Sequence, residues 1–127
     1  MITFRCYETK TVGIHRWLGD QPPEFRAEID AVLELIQAAK GLDEILSVKA
    51  LRGKCDGLTE IKIDFSLETE LIHIRILGYE TRNSEFILLF PFRKRGGPDY
   101  GTACRSAFTR KRGVERDARR AQPCRFP

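Results

Sequence analysis

Two consecutive runs of strictly alternating residues constrain the fold of this chain more than any other feature. In Thr59 to Ser66 every second residue is apolar, and the alternation resumes in Leu71 to Tyr79 after a short loop. Side chains in a strand point to opposite faces in turn, so each run predicts a half-buried strand, and the loop predicts an antiparallel hairpin. One face of this hairpin carries isoleucines, and the other carries Lys62, His73 and Arg75.

The flanking patterns predict an α+β domain: an N-terminal strand, a helical hairpin, a three-stranded antiparallel meander and a C-terminal helix on one mixed sheet. The second helix of the hairpin begins after Pro22-Pro23, since proline is tolerated in a first turn, and ends at Gly41. Gly113 is predicted to interrupt the C-terminal helix, and residues 123–127 to be frayed. The predicted elements are strands at 2–7, 59–66, 71–79 and 85–92, and helices at 14–18, 24–40 and from 99 to about 112.

The charge is unevenly distributed along the 127 residues, which we interpret as one domain, 1–127, with a basic C-terminal extension at about 113–127. Residues 1–92 hold 11 Lys and Arg against 15 Asp and Glu, whereas residues 93–127 hold 11 against 3. A basic block of this kind is typical of nucleic-acid binding, although basic tails also serve solubility or contact acidic proteins.

The expected compartment is the cytoplasm, with no attachment to a membrane. No segment approaches the roughly 20 consecutive apolar residues of a spanning helix, and residues 1–10 lack the basic-then-apolar order of a secretory signal. Cysteines occur at positions 6, 55, 104 and 124, far apart and without a C-x-x-C pair. We therefore predict four reduced thiols and no metal site.

The polar face of the hairpin is the first candidate site, joined by Arg93 and Lys94 at the end of the third strand. Clustered cations stabilise the charge on a pentacoordinate phosphate when a 2′-hydroxyl attacks phosphorus, and proton transfer needs a further group. His73, Tyr100 or a lysine of the cluster is the candidate for that transfer. The alternative is the ordinary charged outer face of a soluble sheet.

The basic tail is the second candidate. Arg110, Lys111 and Arg112, extended by further arginines to residue 120, either contact RNA phosphates or form a solvated helix face. The sequence contains no Walker loop, no G-x-S-x-G elbow, no H-E-x-x-H and no acidic cluster suited to two metal ions. These absences disfavour NTPase, serine hydrolase and metal-dependent activities.

Several strings resemble the phage-derived, HigB-like branch of the RelE/ParE toxin superfamily over roughly residues 12–95. The segment after residue 95 departs from the pattern of that branch. The similar strings are Ile14 to Ile36 (a W-L…L-P helical hairpin), Leu51-Arg52-Gly53 to Lys62 (L-x-G…L-x-E-x-R/K), Ile74 to Tyr79 (Y-R-v-x-Y) and Ile87 to Lys94 (I-x-L-L-x-x-F-x-K-K).

This resemblance implies the toxin of a type II toxin-antitoxin system, a ribosome-dependent, metal-independent endoribonuclease that cuts mRNA and inhibits translation. It implies a DNA-binding antitoxin, the ribosome and mRNA as partners, and no cofactor. Lys62, Arg75 and Lys94 fall on basic positions of the family, and Tyr100 lies near its aromatic position. The candidate catalytic residues are Lys62, His73, Arg75, Lys94 and Tyr100, and the candidate RNA-binding residues are Arg52, Lys54, Arg93, Arg95, Arg110, Lys111 and Arg112.

The sequence leaves two alternatives to the ribonuclease open. The ParE branch of the same superfamily inhibits DNA gyrase without cutting RNA, so the chain is alternatively a non-catalytic inhibitor or a basic RNA- or DNA-binding module on the same fold. The other alternative is an inactive relic of the toxin.

Overall fold

A computed structural model describes residues 2–39, 47–95 and 100–125, which fold as an α+β domain around a mixed six-stranded sheet. The strand order is β2-β3-β4-β5-β1-β6, with β1 parallel to β5 and the other neighbours antiparallel. The strands are β1 (Thr3–Tyr7), β2 (Val48–Ala50), β3 (Thr59–Leu67), β4 (Glu70–Glu80), β5 (Glu85–Arg93) and β6 (Ala121–Pro123).

Three α-helices lie within the described residues, and they cover both faces of the sheet. They are α1 (Ile14–Gly19), α2 (Pro23–Ala38) and α3 (Gly101–Arg116). The hairpin of α1 and α2 packs on one face, where the stripe Phe25, Ile29, Leu33 and Ile36 is buried. Pro23 occupies the first turn of α2, as predicted; Lys40 and Gly41 lie outside the described residues.

The predicted meander is confirmed. Strands β3, β4 and β5 follow one another antiparallel, and the isoleucines of the first two strands are buried beneath α2. Helix α3 covers part of the opposite face, against a second apolar cluster that includes Leu77, Leu89 and Ala107. The two faces are therefore separate environments, one mainly apolar and one shared between α3 and polar residues.

A β-bulge at Leu77/Gly78 shifts the register between β4 and β5. A Cβ at Gly78 would collide with the carbonyl oxygen of Ile87, so glycine allows the close approach of the two backbones. Beyond the bulge, Gly78 lies opposite Leu88 and Tyr79 opposite Ile87.

The C-terminal region differs from the prediction. Helix α3 continues through Gly113 to Arg116, and Gly113 leaves room for the side chain of Arg120, whose Nη1 a Cβ would meet at 2.8 Å. Of the residues predicted to be frayed, Pro123 belongs to β6 (Ala121–Pro123), which pairs with β1, and Cys124 is disulfide-bonded. Residues 126 and 127 lie outside the described part of the chain. Residues 113–125 thus belong to the fold.

The four cysteines form two disulfides, Cys6–Cys124 and Cys55–Cys104, so the prediction of reduced thiols is wrong. The cysteines are far apart along the chain, so their proximity in the fold could not be predicted from the sequence. Cys6 lies on β1, next to the strand that Cys124 follows. Cys55 ends a 3₁₀ turn that packs on α3, the helix that carries Cys104.

We expect the substitution of Cys55 and Cys104 by alanine to lower the free energy of unfolding by about 4 kcal/mol, because the cross-link closes a loop of 49 residues. Urea unfolding of wild type and variant, with and without dithiothreitol, measures this change. A variant lacking all four cysteines is the control, and dithiothreitol should not shift its midpoint. An unchanged wild-type midpoint after reduction, with free thiols shown by mass spectrometry, contradicts the expectation.

Candidate functional site

The polar face of the meander carries a grid of side chains in three rows, which we call the polar grid. Its register follows from the pairs Glu60 with Leu77, Lys62 with Arg75, and Asp64 with His73 between β3 and β4. On β5, Phe90 lies opposite Leu77 and Phe92 opposite Arg75, and the Lys94 amide donates to the His73 carbonyl at 2.8 Å. The rows are Glu60-Leu77-Phe90, Lys62-Arg75-Phe92 and Asp64-His73-Lys94.

The last row contains an aspartate-histidine pair. His73 Nδ1 lies 2.8 Å from Asp64 Oδ1, and the two side chains are 42% and 48% exposed. Because an ionised carboxylate only accepts hydrogen bonds, Nδ1 carries the proton and Nε2 is left to accept one. This is the arrangement of an oriented general base. Asp64 is not among the predicted site residues, although its place in the alternating run puts it on this face; the cross-strand register of the hairpin is the signal that pairs it with His73.

Arg75 lies beneath this surface. Its side chain is 7% exposed, and Nη1 donates to Asp64 Oδ1 at 2.6 Å and to the Ile74 carbonyl at 2.9 Å. Burial lowers the pKa of Arg75, but hydrogen bonds and charge interactions with Asp64 and Tyr100 raise it overall. Arg75 therefore connects other side chains of the site and is largely shielded from a ligand in solvent.

Tyr100, directly before α3, covers the middle of the polar grid. Its phenol lies beside Glu60 and Arg75 and interacts with both, and its ring packs edge-on against Phe92 with centroids 5.8 Å apart. Burial and the interaction with Glu60 raise the pKa of Tyr100, so the phenol keeps its proton at neutral pH. Glu60 is almost completely buried, and its Oε2 has no hydrogen-bond partner among the described residues.

Two lysines border the histidine and supply uncompensated positive charge. Lys94 shares its row, with Nζ 5.8 Å from the centroid of the Tyr100 ring, and Lys62 lies in the adjacent row. Both side chains are partly exposed, and neither has an ion-pair partner within residues 2–39, 47–95 and 100–125. The five candidate catalytic residues therefore lie together on one face.

Arg93 does not join them. It lies on the opposite face of the sheet, where its guanidinium stacks 5.6 Å above the Phe25 ring and pairs with Glu70. Consecutive residues of a strand point to opposite faces, so only one of Arg93 and Lys94 can reach the polar grid. The prediction that both lie on the polar face is wrong for Arg93.

Arg110 has a structural position that differs from the predicted role in RNA binding. Its guanidinium lies 5.0 Å from the ring centroids of both Tyr7 and Phe90, and Nη1 donates to the Leu89 carbonyl at 2.8 Å. Burial lowers the pKa of Arg110. Lys111 is also engaged, with Nζ 4.8 Å from the Tyr79 ring centroid.

The other predicted RNA-binding residues are exposed, and none of them belongs to the three rows of the polar grid. They lie in the loop around the 3₁₀ turn (Arg52, Lys54), after β5 (Arg95) and on the outer side of α3 (Arg112). The residues 96–99 that connect Arg95 to Tyr100 lie outside the described part of the chain.

Comparisons with known proteins assign no family. No family model matches the chain, and a search of curated proteins finds no significant match. In the described ranges, no three His, Cys, Asp or Glu side chains are grouped to hold a metal ion. No helix in those ranges is long and apolar enough to cross a membrane. The toxin resemblance and the cytoplasmic location stay predictions.

The Asp64 carboxylate allows a test by pH. Burial raises its pKa, but the hydrogen bonds from Arg75 and His73 outweigh this and hold the pKa below its usual value of 3.8. The stabilisation that the Asp64 carboxylate gains from Arg75 and His73 is thus complete above pH 3.8. It is lost as the pH falls through the lower pKa that Asp64 has in the folded state. Because the Asp64 side chain is 48% exposed and partly screened by water, we expect Asp64→Asn to cost only about 1 kcal/mol at pH 7 and progressively less below pH 3.8.

Urea unfolding of both proteins across pH 2 to 7 checks this expectation. Asp56→Asn is the matched control, because Asp56 is exposed and has no ion-pair partner in the described residues. A difference between Asp64→Asn and wild type that does not depend on pH would show that the charge of Asp64 is not the stabilising feature.

Proposed function

We propose that this chain is a metal-independent endoribonuclease, the toxin component of a type II toxin-antitoxin system of the RelE/HigB-like kind. The observation that carries the proposal is the Asp64-His73 pair, bordered by two lysines without ion-pair partners in the described part of the chain. The order of the helical hairpin and the meander also agrees with the sequence resemblance. In this proposal the substrate is mRNA on the ribosome, and the partner is a DNA-binding antitoxin.

In the proposed reaction, His73 accepts the proton of a ribose 2′-hydroxyl through Nε2 while the 2′-oxygen forms a bond to phosphorus. The bond from phosphorus to the 5′-oxygen breaks, and Tyr100 donates a proton to this leaving oxygen. Lys62 and Lys94 stabilise the negative charge that builds up on the phosphate. The products are a 2′,3′-cyclic phosphate and a 5′-hydroxyl, and the proton held by His73 passes through water to the Tyr100 phenolate, which restores both groups.

Arg75 has a positioning role in this scheme. It hydrogen-bonds to Asp64 on one side and interacts with the Tyr100 phenol on the other, so it sets the separation between the base and the acid. Because Arg75 is nearly buried, its replacement by alanine would leave a cavity beneath the site and remove one hydrogen bond from Asp64. A loss of activity in that variant could come from a catalytic defect or from unfolding. The His73 side chain is 42% exposed, so its replacement tests catalysis with less effect on folding.

We expect His73→Asn to reduce cleavage by about 100-fold or more, because it removes the general base from an exposed position. Wild type and variant are incubated with end-labelled RNA, free in the presence of a metal chelator and on translating ribosomes in magnesium buffer, and the product ends are identified. Lys10→Gln is the control, since Lys10 is an exposed cation away from the polar grid. Undiminished cleavage by a folded His73→Asn protein contradicts the assignment.

One feature favours the alternative of a non-catalytic nucleic-acid-binding module. Arg105, Arg112 and Arg116 are exposed and follow one side of α3 at offsets typical of a helix face. The first two donate hydrogen bonds to Thr102 and Thr109 within the same helix. A row of this kind can follow a phosphate backbone without any catalysis.

If this row binds single-stranded RNA, replacing its three arginines by glutamine should lower the slope of log affinity against log salt by about 2. Deletion of the tail cannot test this, because residues 121–124 include β6 and a disulfide cysteine. Binding is measured by fluorescence anisotropy at several salt concentrations, with Lys10→Gln as control. An unchanged slope in the triple variant excludes the row as the binding surface.

A further inference from the structure

A groove lies beside the C-terminal half of β5, where β1 no longer pairs with it. Strand β1 pairs with β5 only from Glu85 to Leu88, so the remainder of β5, up to Arg93, has an open edge facing α1. Between this edge and the helix is a cleft of about 360 Å³. A cleft of this volume is at the small end of the range for small-molecule sites and suits a ligand the size of one nucleotide.

The chemistry of the cleft is aromatic and cationic. Trp17 and Phe92 supply flat apolar surface, while Arg16, Arg93 and Arg110 supply three guanidinium groups against the single carboxylate of Asp20. Arginines beside aromatic rings bind an anion joined to a flat ring, because the guanidinium meets the phosphate while the base stacks.

The three arginines are not equivalent. Arg93 pairs with Glu70, and Arg110 is held by a carbonyl and two rings, so both are fixed in place. Arg16 is exposed on α1 and has no ion-pair partner within the described ranges. Arg16 is therefore the guanidinium that is available to an incoming phosphate.

The open edge is unsuited to a peptide strand. The Leu89 carbonyl already accepts a hydrogen bond from Arg110, and Pro91 has no amide hydrogen to donate. An added strand would thus lose hydrogen bonds at two successive positions of the ladder. This favours a nucleotide over an extended acidic peptide as the occupant.

The cleft is continuous with the polar grid. Phe92 lines the cleft and also belongs to the middle row of the grid, opposite Arg75 and in contact with Tyr100. Adjacent strands are about 4.8 Å apart, so a nucleotide next to a phosphate at His73 and Lys94 reaches the cleft. We propose that the cleft binds one nucleotide of the RNA strand, with the base against Trp17 and the phosphate against Arg16. This inference rests on the proposed ribonuclease function.

Trp17 reports on the cleft because it is the only tryptophan in the chain. In a fluorescence titration, adenosine 5′-monophosphate should quench Trp17 saturably, whereas ribose 5-phosphate, which has no base, should quench it far less. Arg16→Gln should raise the dissociation constant about tenfold at low salt, and Lys10→Gln should leave it unchanged. Circular dichroism of each variant establishes that the fold is retained.

Nucleotide binding in the cleft and RNA cleavage are tested separately, so either can fail without the other. Fluorescence measures nucleotide binding and the product ends measure cleavage, so quenching in a chain that cleaves no RNA would leave the cleft supported and overturn only the ribonuclease. Three outcomes overturn the cleft: no saturable quenching, equal quenching by ribose 5-phosphate, or stronger binding of an acidic peptide such as tetraglutamate.

Discussion

Nine residue pairs hold β3 and β4 in one unbroken register, from Thr59 opposite Gly78 to Leu67 opposite Glu70. A shift of one residue would turn the isoleucines of a strand away from α2 and expose them, so burial of those side chains fixes the register. The same register places Asp64 opposite His73 and Lys62 opposite Arg75. The apolar face thus determines which polar side chains meet on the other face, and the candidate site follows from how the core packs.

The regularity of each residue pattern decided which parts of the fold and of the candidate site could be predicted from the sequence. The hairpin and α2 were predictable because their apolar residues repeat over many positions with one period. Strand β5 is apolar at almost every position, so its faces could not be read, and Arg93 was placed on the wrong one. Strands β2 and β6 are too short to show a period. The burial of Arg75 depends on Tyr100, which is distant in sequence and is brought over the sheet by α3.

The buried arginine gives the site its rigidity. Arg75 hydrogen-bonds to a carboxylate on one strand and interacts with the phenol that precedes α3, and α3 is itself joined to the 3₁₀ turn by Cys55–Cys104. Disulfides persist in oxidising compartments and are rare in a reducing cytosol. In the cytoplasm the chain would therefore be in its dithiol form, with α3 held against the sheet only by non-covalent packing.

The bond between Cys6 and Cys124 brings the two ends of the chain together, with Cα atoms 5.1 Å apart at one edge of the sheet. Domains joined to either end would accordingly leave from the same side, next to β1 and β6, which are two and three strand positions away from the β4 strand that carries His73. Such close ends are also the geometry that circular permutation requires. A chain joined through its original ends and opened at the exposed turn Arg82–Asn83 would keep every strand neighbour, which makes this a natural scaffold for inserting the domain into another protein.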